Sequence, residues 1–263
     1  DWNHDVWGYA HSTRARATGT VSGLLGAWYL ADPMDRPRPR PIMAPEVGIH
    51  RNANPGYTFP RRRIVRHFQP ESPLRVSALR GLGYYANVFA IESFVDELAH
   101  ASGADPAAFR LRYLDDPRAR DVIEAAVERA GPQSEATGEG SKAWGRGIAF
   151  AQYKNRQSYV AVVVDLTVDR DSGRIQLKRG VLAADSGQIV SPDGLSNQLE
   201  GGFIQAASWT LKEQVTFDAH GVTSLDWRTY PILRFREAPV VETVLLDRPG
   251  APYTDSAGHD WPD

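Results

Sequence analysis

The sequence predicts an α+β fold, with helices first and strands after, and three observations carry that prediction. Apolar residues recur at helical spacing between Val88 and Gly131, with a stop or start signal at each break. Beyond the polar stretch "PQSEATGEGSK" the apolar period changes from helical to two. A single helical segment, "LSNQLEGGFIQAASWTL", is embedded among the strands, so the order is not that of a doubly wound sheet.

The helices follow in order. Val88, Ile91, Val95 and Leu98, with Phe94 alongside, form one apolar stripe, and Gly103 supplies a C-terminal stop. Asp105-Pro106 has the N-cap and first-turn chemistry of a second helix, running to Leu114. Asp116-Pro117 repeats that device before "RARDVIEAAVERAG", which closes at Gly131.

Strands take over after that boundary. "SYVAVVVDLTVD" is β-branched, "RDSG" is a turn and "RIQLKRGVLAAD" returns, which together predict a hairpin. The embedded helix comes next, with Ser191 or Asp193 as its cap. "EQVTFDAHGVTSLDW" reads as strand, turn and strand, and "APVVETVLLD" as a last apolar strand. Upstream, Pro33 to Pro60 holds repeated proline and arginine, which predicts an extended connection over a surface with solvated guanidinium groups.

Composition narrows the chemistry. The chain has 263 residues, 42% hydrophobic, enough for a core in one large or two modest domains. A net charge of −2 gives no field for nucleic acid or an anionic membrane. With no cysteine, the chain encodes neither disulfides nor thiolate ligands for zinc or iron–sulfur clusters. No apolar run is long enough to span a bilayer. The seven histidines lack metal-ligand spacing. The first residues, "DWNHDVWGYAHS", carry neither an initiator methionine nor a signal-peptide pattern, and predict a fragment of a longer chain.

Three short motifs carry weak chemical signals. "GRGIAF" after Trp144 lacks the strand and helix that a dinucleotide fingerprint needs. "RGLG", Arg80 to Gly83, combines glycines that admit close approach with an arginine fork for oxygen acceptors, although such a motif alone is commonly a turn. "AADSGQIVSPDG" ends a strand and enters a helix N-terminus, where backbone N–H groups favour an anion; Asp185, Ser186 and Ser191 serve equally as loop and cap residues. In the embedded helix, Asn197, Gln198 and Glu200 and the pair Gly201-Gly202 are out of place in a purely packed core.

Taken together, the segments "LRVSALRGLGYYANVFAIESFVDELAHASGADPAAFRLRYLDDPRARDVIEAAVERAG", "GRGIAFAQYKNRQSYVAVVVDLTVD", "DSGQIVSPDGLSNQLEGGFIQAASWTLKEQVTF" and "YPILRFREAPVVETVLL" resemble a known family. They are similar, in order and spacing, to the catalytic large subunit of xanthine dehydrogenase-type molybdenum hydroxylases. The branch is that of isoquinoline 1-oxidoreductase β subunits and bacterial aldehyde and nicotinate dehydrogenases. The resemblance runs from Asp1 to about Gly250.

It implies the C-terminal part of a two-domain molybdopterin-binding fold. Residues 1–60 would be an extended proline-rich connection and 61–141 a helical part of the cofactor-binding region. Residues 142–250 would be a strand-rich part with the cofactor-facing helix, and 251–263 an atypical tail. The implied cofactor is molybdopterin cytosine dinucleotide, and the implied reaction is hydroxylation of aldehydes or N-heterocycles with water as the oxygen source. Implied partners are the N-terminal half of the same large subunit, a small subunit carrying 2Fe–2S clusters, and a cytochrome c or FAD subunit as electron acceptor. The compartment stays open between bacterial periplasm and cytoplasm.

By position, Arg80, Gly81, Leu82 and Gly83 match the family's Arg-Gly-Phe-Gly loop beside pterin and substrate; Leu82 replaces the usual aromatic residue. Gln198 matches a cofactor-bonding glutamine at a helix start, and Glu200, Gly201 and Gly202 complete that motif. Asp185, Ser186 and Gly187 match the preceding loop in a supporting role. No metal ligand is implied on this chain, and no catalytic residue, because the family's Gly-Glu motif does not follow "LLDRPGAPY". With codons GGC CAC GAC TGG CCC GAC, the tail Gly258–Asp263 reads Ala-Thr-Thr-Gly-Pro-Thr when displaced by one nucleotide, close to the family's pattern. A frameshift is therefore the expectation there, to be decided by the coding DNA. The fragment is expected to be active only when joined to the missing half and the small subunit, so that the isolated chain is inactive; the alternative is a truncated, catalytically inactive remnant that binds cofactor or subunit at most.

Overall fold

A computed structural model describes residues 1–11, 24–36, 38–45, 47–132 and 140–250. The expectations for the tail 251–263 lie outside the described residues. The chain divides into two compact units, one of Asp1–Glu97 with Tyr153–Arg156, the other of Leu98–Gln152 with the residues from Gln157 on.

In the first unit, strand β1 (Trp2–Gly8) pairs in parallel with β2 (Arg62–Phe68), from Trp2 opposite Arg62 to Gly8 opposite Phe68. Trp2 is buried, stacked on Phe59 at 5.1 Å and met edge-on by Phe94 at 5.4 Å. Neither strand was expected, because arginines at 62, 63 and 66 mask the period of β2. The stretch from Pro33 to Pro60 departs from the expected surface connection in its second half. Ile49, Ala53 and Tyr57 are buried there, and Ile49 and Ala53 pack with Val6. The backbone carbonyls this would strand are met by Asn87, whose amide donates to Ile49 O and Arg51 O, both at 2.9 Å. Tyr57 also donates its hydroxyl to the buried Glu92 at 2.9 Å.

Helix α1 (Tyr84–Ala101) matches the expected stripe, with Ile91, Val95 and Ala99 buried. Its end is a Schellman motif: Ala104 N–H donates to Ala99 O, Gly103 N–H to His100 O, and Gly103 has φ 67°.

In the second unit, α2 (Pro106–Arg112) and α3 (Pro117–Ala130) start at Asp105 and Asp116 as expected. Asp105 accepts from the N–H groups of Ala107 and Ala108, and Asp116 from that of Arg118. The sheet has the order β3 (Lys142–Gln152), β4 (Tyr159–Asp169), β5 (Ile175–Asp185), β8 (Val240–Leu245). The first three strands are antiparallel, and β8 runs parallel to β5. Strand β3 contains the "GRGIAF" motif, which is therefore ordinary edge strand; its two glycines dilute the period of two. A two-residue hairpin, β6 (Phe217–Asp218) with β7 (Gly221–Val222), replaces the longer one expected.

Between β5 and β8 the chain forms α4 (Pro192–Leu211), the crossover that a parallel pair requires. Helices α3 and α4 cover opposite faces of β5. Arg179 donates to Ala130 O at the end of α3, while its neighbour Gly180 faces Phe203 of α4. Burial of β5 is accordingly continuous from Gly180 to Asp185.

Candidate functional site

Helix α4 is oriented by one close approach. A Cβ on Gly180 would stand 2.6 Å from Cζ of Phe203, so only glycine lets the ring seat on the strand. Ser196 Oγ and Thr243 Oγ1, 3.1 Å apart, tie the helix to β8 as well. At 100° per residue, Gly194, Gln198, Gly201 and Gln205 recur along the face opposite Phe203. Gln198 and Gly201 are exposed, and a Cβ built on Gly201 or Gly202 meets nothing within 4 Å. Glu200, three residues before Phe203, lies on the other side and is also exposed, so Gln198 and Glu200 do not share a face. Gly194 and Gln205 extend the outward face; their spacing to Gln198 and Gly201 was the available signal.

The start of the helix is closed by its own cap. Ser191 Oγ accepts from Gly194 N–H at 3.3 Å, with Pro192 in the first turn. The preceding loop rests on Asp185, whose side chain is fully buried at the end of β5. Arg118 Nε and Arg248 Nε each donate to its Oδ2 at 2.9 Å, and Gly187 N–H to its Oδ1 at 3.0 Å. Arg118 also pairs with Oδ1, and Arg248 with Asp121. Burial pushes the Asp185 carboxyl up, but the hydrogen bonds from Arg118, Arg248 and Gly187 outweigh it and hold the pKa at about 2. Asp185 is thus a fixed negative charge that anchors structure. Its arginine partners, 67 and 63 residues away in the chain, carry no local sequence signal.

The "RGLG" loop belongs to the first unit. Leu82 N–H donates to Leu79 O and Tyr84 N–H to Gly81 O, which makes Arg80–Gly83 a tight turn into α1. Gly81 has φ 90°, a conformation that excludes most other residues. Leu82 has φ 54°, at a cost of roughly 1–2 kcal/mol for a residue with a side chain. Gly83 admits a backbone approach, but the neighbour is the chain itself: a Cβ there would collide with the Ile49 carbonyl group, and Gly48 O would lie 2.9 Å away. Fold geometry thus accounts for both glycines, and Arg80 is the exposed side chain of the turn. The predicted residues fall in two places, Arg80–Gly83 in the first unit and Gln198–Gly202 in the second.

A cleft of about 360 Å³ lies at the far end of α4, lined by Leu177, Leu211, Leu233, Lys212, Arg236 and Glu237 among others. None of the predicted residues lines it, and Lys212 is paired with Glu237 at 2.6 Å. Among the described residues no group of three or more His, Cys, Asp or Glu side chains could hold a metal ion. No described helix is long and apolar enough to cross a membrane.

Comparison with known proteins matches residues 80–239 to the molybdopterin cofactor-binding domain family. A nicotinate dehydrogenase polypeptide of Pseudomonas putida is 38% identical over 214 residues, 77% of this chain and 18% of that protein. The beta subunit of isoquinoline 1-oxidoreductase from Brevundimonas diminuta is 30% identical over 192 residues, 73% of this chain and 24% of its own length. The chain therefore spans about a quarter or less of these relatives. Among solved structures, aldehyde oxidoreductase from Desulfovibrio gigas shares the fold with a TM-score of 0.58 at 14% identity, over 76% of this chain and 40% of that one.

Proposed function

The chain belongs to the molybdopterin-binding xanthine dehydrogenase family, and from that premise we propose that it forms one wall of a molybdenum cofactor site in an oxidoreductase subunit. The observation that carries this reading is the outward face of α4. An exposed amide at Gln198 stands beside open space over Gly201 and Gly202, on a helix whose opposite face is locked to the sheet by Phe203. Those residues fit a polar, planar ligand: the amide donates and accepts, and the missing side chains leave room for a ring system to approach the backbone.

In this reading Gln198, Gly201 and Gly202 hold the pterin, Glu200 borders it, and Arg80, Gly81, Leu82 and Gly83 form a second contact region. In that region only Arg80 offers exposed charged chemistry, a fork for phosphate or carbonyl oxygen. When bound, the cofactor supplies two-electron hydroxylation chemistry with water as the oxygen source, and the protein supplies placement and electrostatics. The dinucleotide is the cytosine form. Substrates are aldehydes or N-heterocycles such as nicotinate, the chemistries named by the relatives. The partners are the N-terminal half of the same large subunit, a small 2Fe–2S subunit and a cytochrome c or FAD acceptor.

One observation favours a second reading, in which the chain binds cofactor or subunit without turning over. The buried carboxylates are committed elsewhere: Asp185 is held ionised by arginines, and Glu92 accepts from Tyr57. Both already accept hydrogen bonds within the fold, so neither carboxylate is left open to serve as a general base. Purified chain is to be assayed for molybdenum by elemental analysis, for pterin by fluorescence after oxidation, and for dye-linked oxidation of nicotinate and aldehydes. Bound pterin and molybdenum that Gly201→Leu abolishes support the cofactor wall, and turnover by the chain alone excludes the second reading. Cofactor content in Gly201→Leu and Gln198→Ala equal to that of the wild type overturns the site.

A further inference from the structure

The loop from Ser186 to Ser191, which leads into α4, is held mainly from outside itself. Arg248 N–H donates to Gly187 O at 3.1 Å, and Ile189 N–H donates to Asp247 Oδ1 at 2.8 Å. Both holds come from Asp247 and Arg248, just beyond β8, a segment that sequence places about sixty residues downstream. That segment is in turn pinned by one side chain: Arg248 reaches Asp185 with Nε and Asp121 of α3 with its terminal nitrogen. The last ladder bond before it, Leu246 N–H to Ala184 O at 2.9 Å, ends the regular pairing, so nothing in the sheet itself fixes residues 247 and 248.

We propose that Arg248 is a positioning residue, a latch that clamps the segment after β8 onto the loop before α4 and so sets where the helix presents Gln198 and Gly201. The inference rests on the cofactor-wall reading for its functional half and on geometry alone for its structural half. Asp185 is the buried keeper of the latch and Asp121 its outer rest. Arg118 already neutralises Asp185 from α3, so the sheet does not need Arg248 for charge balance. This is what separates the latch from a general stabiliser: its loss frees one loop and leaves the fold.

Amide hydrogen exchange on the whole chain tests the structural half. In Arg248→Ala, exchange at Ile189 and at residue 248 is expected to rise at least tenfold, while Leu246, in the sheet ladder, keeps its protection. In Asp247→Ala the rise is confined to Ile189, and Arg248→Lys, which keeps a charge for Asp185 but loses the fork, recovers part of the protection. Unchanged exchange at Ile189 and residue 248 in Arg248→Ala overturns the latch, and so does a uniform rise that includes Leu246. Molybdenum and pterin content, compared at equal urea midpoints, tests the functional half. A several-fold loss in Arg248→Ala with recovery in Arg248→Lys supports positioning, and full retention overturns it. Content is read in chain co-expressed with the N-terminal half of the large subunit; a wild-type complex without cofactor defeats the cofactor-wall reading and the positioning of a cofactor face with it, and leaves the exchange result to judge the latch.

Discussion

Phe203 sits directly over Gly180, with its ring 2.6 Å from where a Cβ on that glycine would stand. The pair fixes which face of α4 is inward, and hence which residues are presented outward. Gly180→Ala is expected to lower stability by about 1–3 kcal/mol through overpacking, read as a lower urea midpoint. The double variant Gly180→Ala with Phe203→Leu is expected to recover part of that loss, giving a non-additive cycle. Strict additivity would show that the ring has another way to relax.

Gly201 has the opposite expectation. Its built Cβ meets nothing, and its backbone is helical, so Gly201→Ala should stabilise the ligand-free chain by about 0.5–1 kcal/mol. A glycine that costs stability and clears no neighbour of its own chain is what a ligand-facing position would retain. Destabilisation by alanine, measured in urea without cofactor, would remove that argument.

Gly83→Ala, by contrast, forces the Ile49 carbonyl aside and disturbs its hydrogen bond from Asn87. A loss of at least about 2 kcal/mol is expected from overpacking plus a displaced backbone acceptor. Thermal unfolding with and without cofactor reads it. The loss is to be the same in both, since the contact is internal to the chain.

Acid stability tests the Asp185 centre. Its carboxyl titrates at about 2 when folded and near the ordinary aspartate value, about 3.9, when unfolded. The folded value is the lower one, so its contribution is present above about pH 4 and is lost as pH falls toward 2. Asp185→Asn is expected to cost about 2–3 kcal/mol at pH 7. This is the low end for a broken buried pair, because both guanidinium groups are about a third exposed and partly screened. The difference between wild type and variant is to shrink between pH 4 and pH 2, and a gap constant over that range would refute the assignment.

The segment from Val215 to Val240 leaves Leu225, Trp227 and Phe235 at 70% exposure or more. Large apolar side chains exposed to this degree offer sites for hydrophobic dyes and for association. Phe235→Ser is expected to reduce dye binding and self-association while changing the urea midpoint little, because the side chain makes no buried contact to lose. A large fall in stability would show that the ring is packed in solution.

How far the sequence could be read differed by element. Helices α1 to α3 were legible because two starts and two stops are local devices: Asp-Pro opens α2 and α3, and Gly103 and Gly131 close α1 and α3. The hairpin of β4 and β5 was legible from β-branched alternation and its turn. Strands β1, β2 and β3 were not, since the polar run Asn3-His4-Asp5 on β1, the arginines on β2 and the glycines on β3 blur the period of two that single-strand reading requires. The packed half of the Pro33–Pro60 stretch was hidden for another reason: its carbonyls are satisfied by Asn87, more than thirty residues downstream.

The same division holds for the site. By itself the sequence determined that Gln198, Gly201 and Gly202 are unusual in a helix, because helical spacing and glycine's low propensity are properties of neighbouring residues alone. Only tertiary structure decided that Gly201 faces open space while Gly83 faces the Ile49 carbonyl, although both are glycines in similar motifs. It also decided that Asp185 is a buried anchor gripped by Arg118 and Arg248. The physical reason is the same in each case. What a glycine makes room for, and whether a carboxylate is a base or a rivet, depends on atoms brought near by folding from distant parts of the chain.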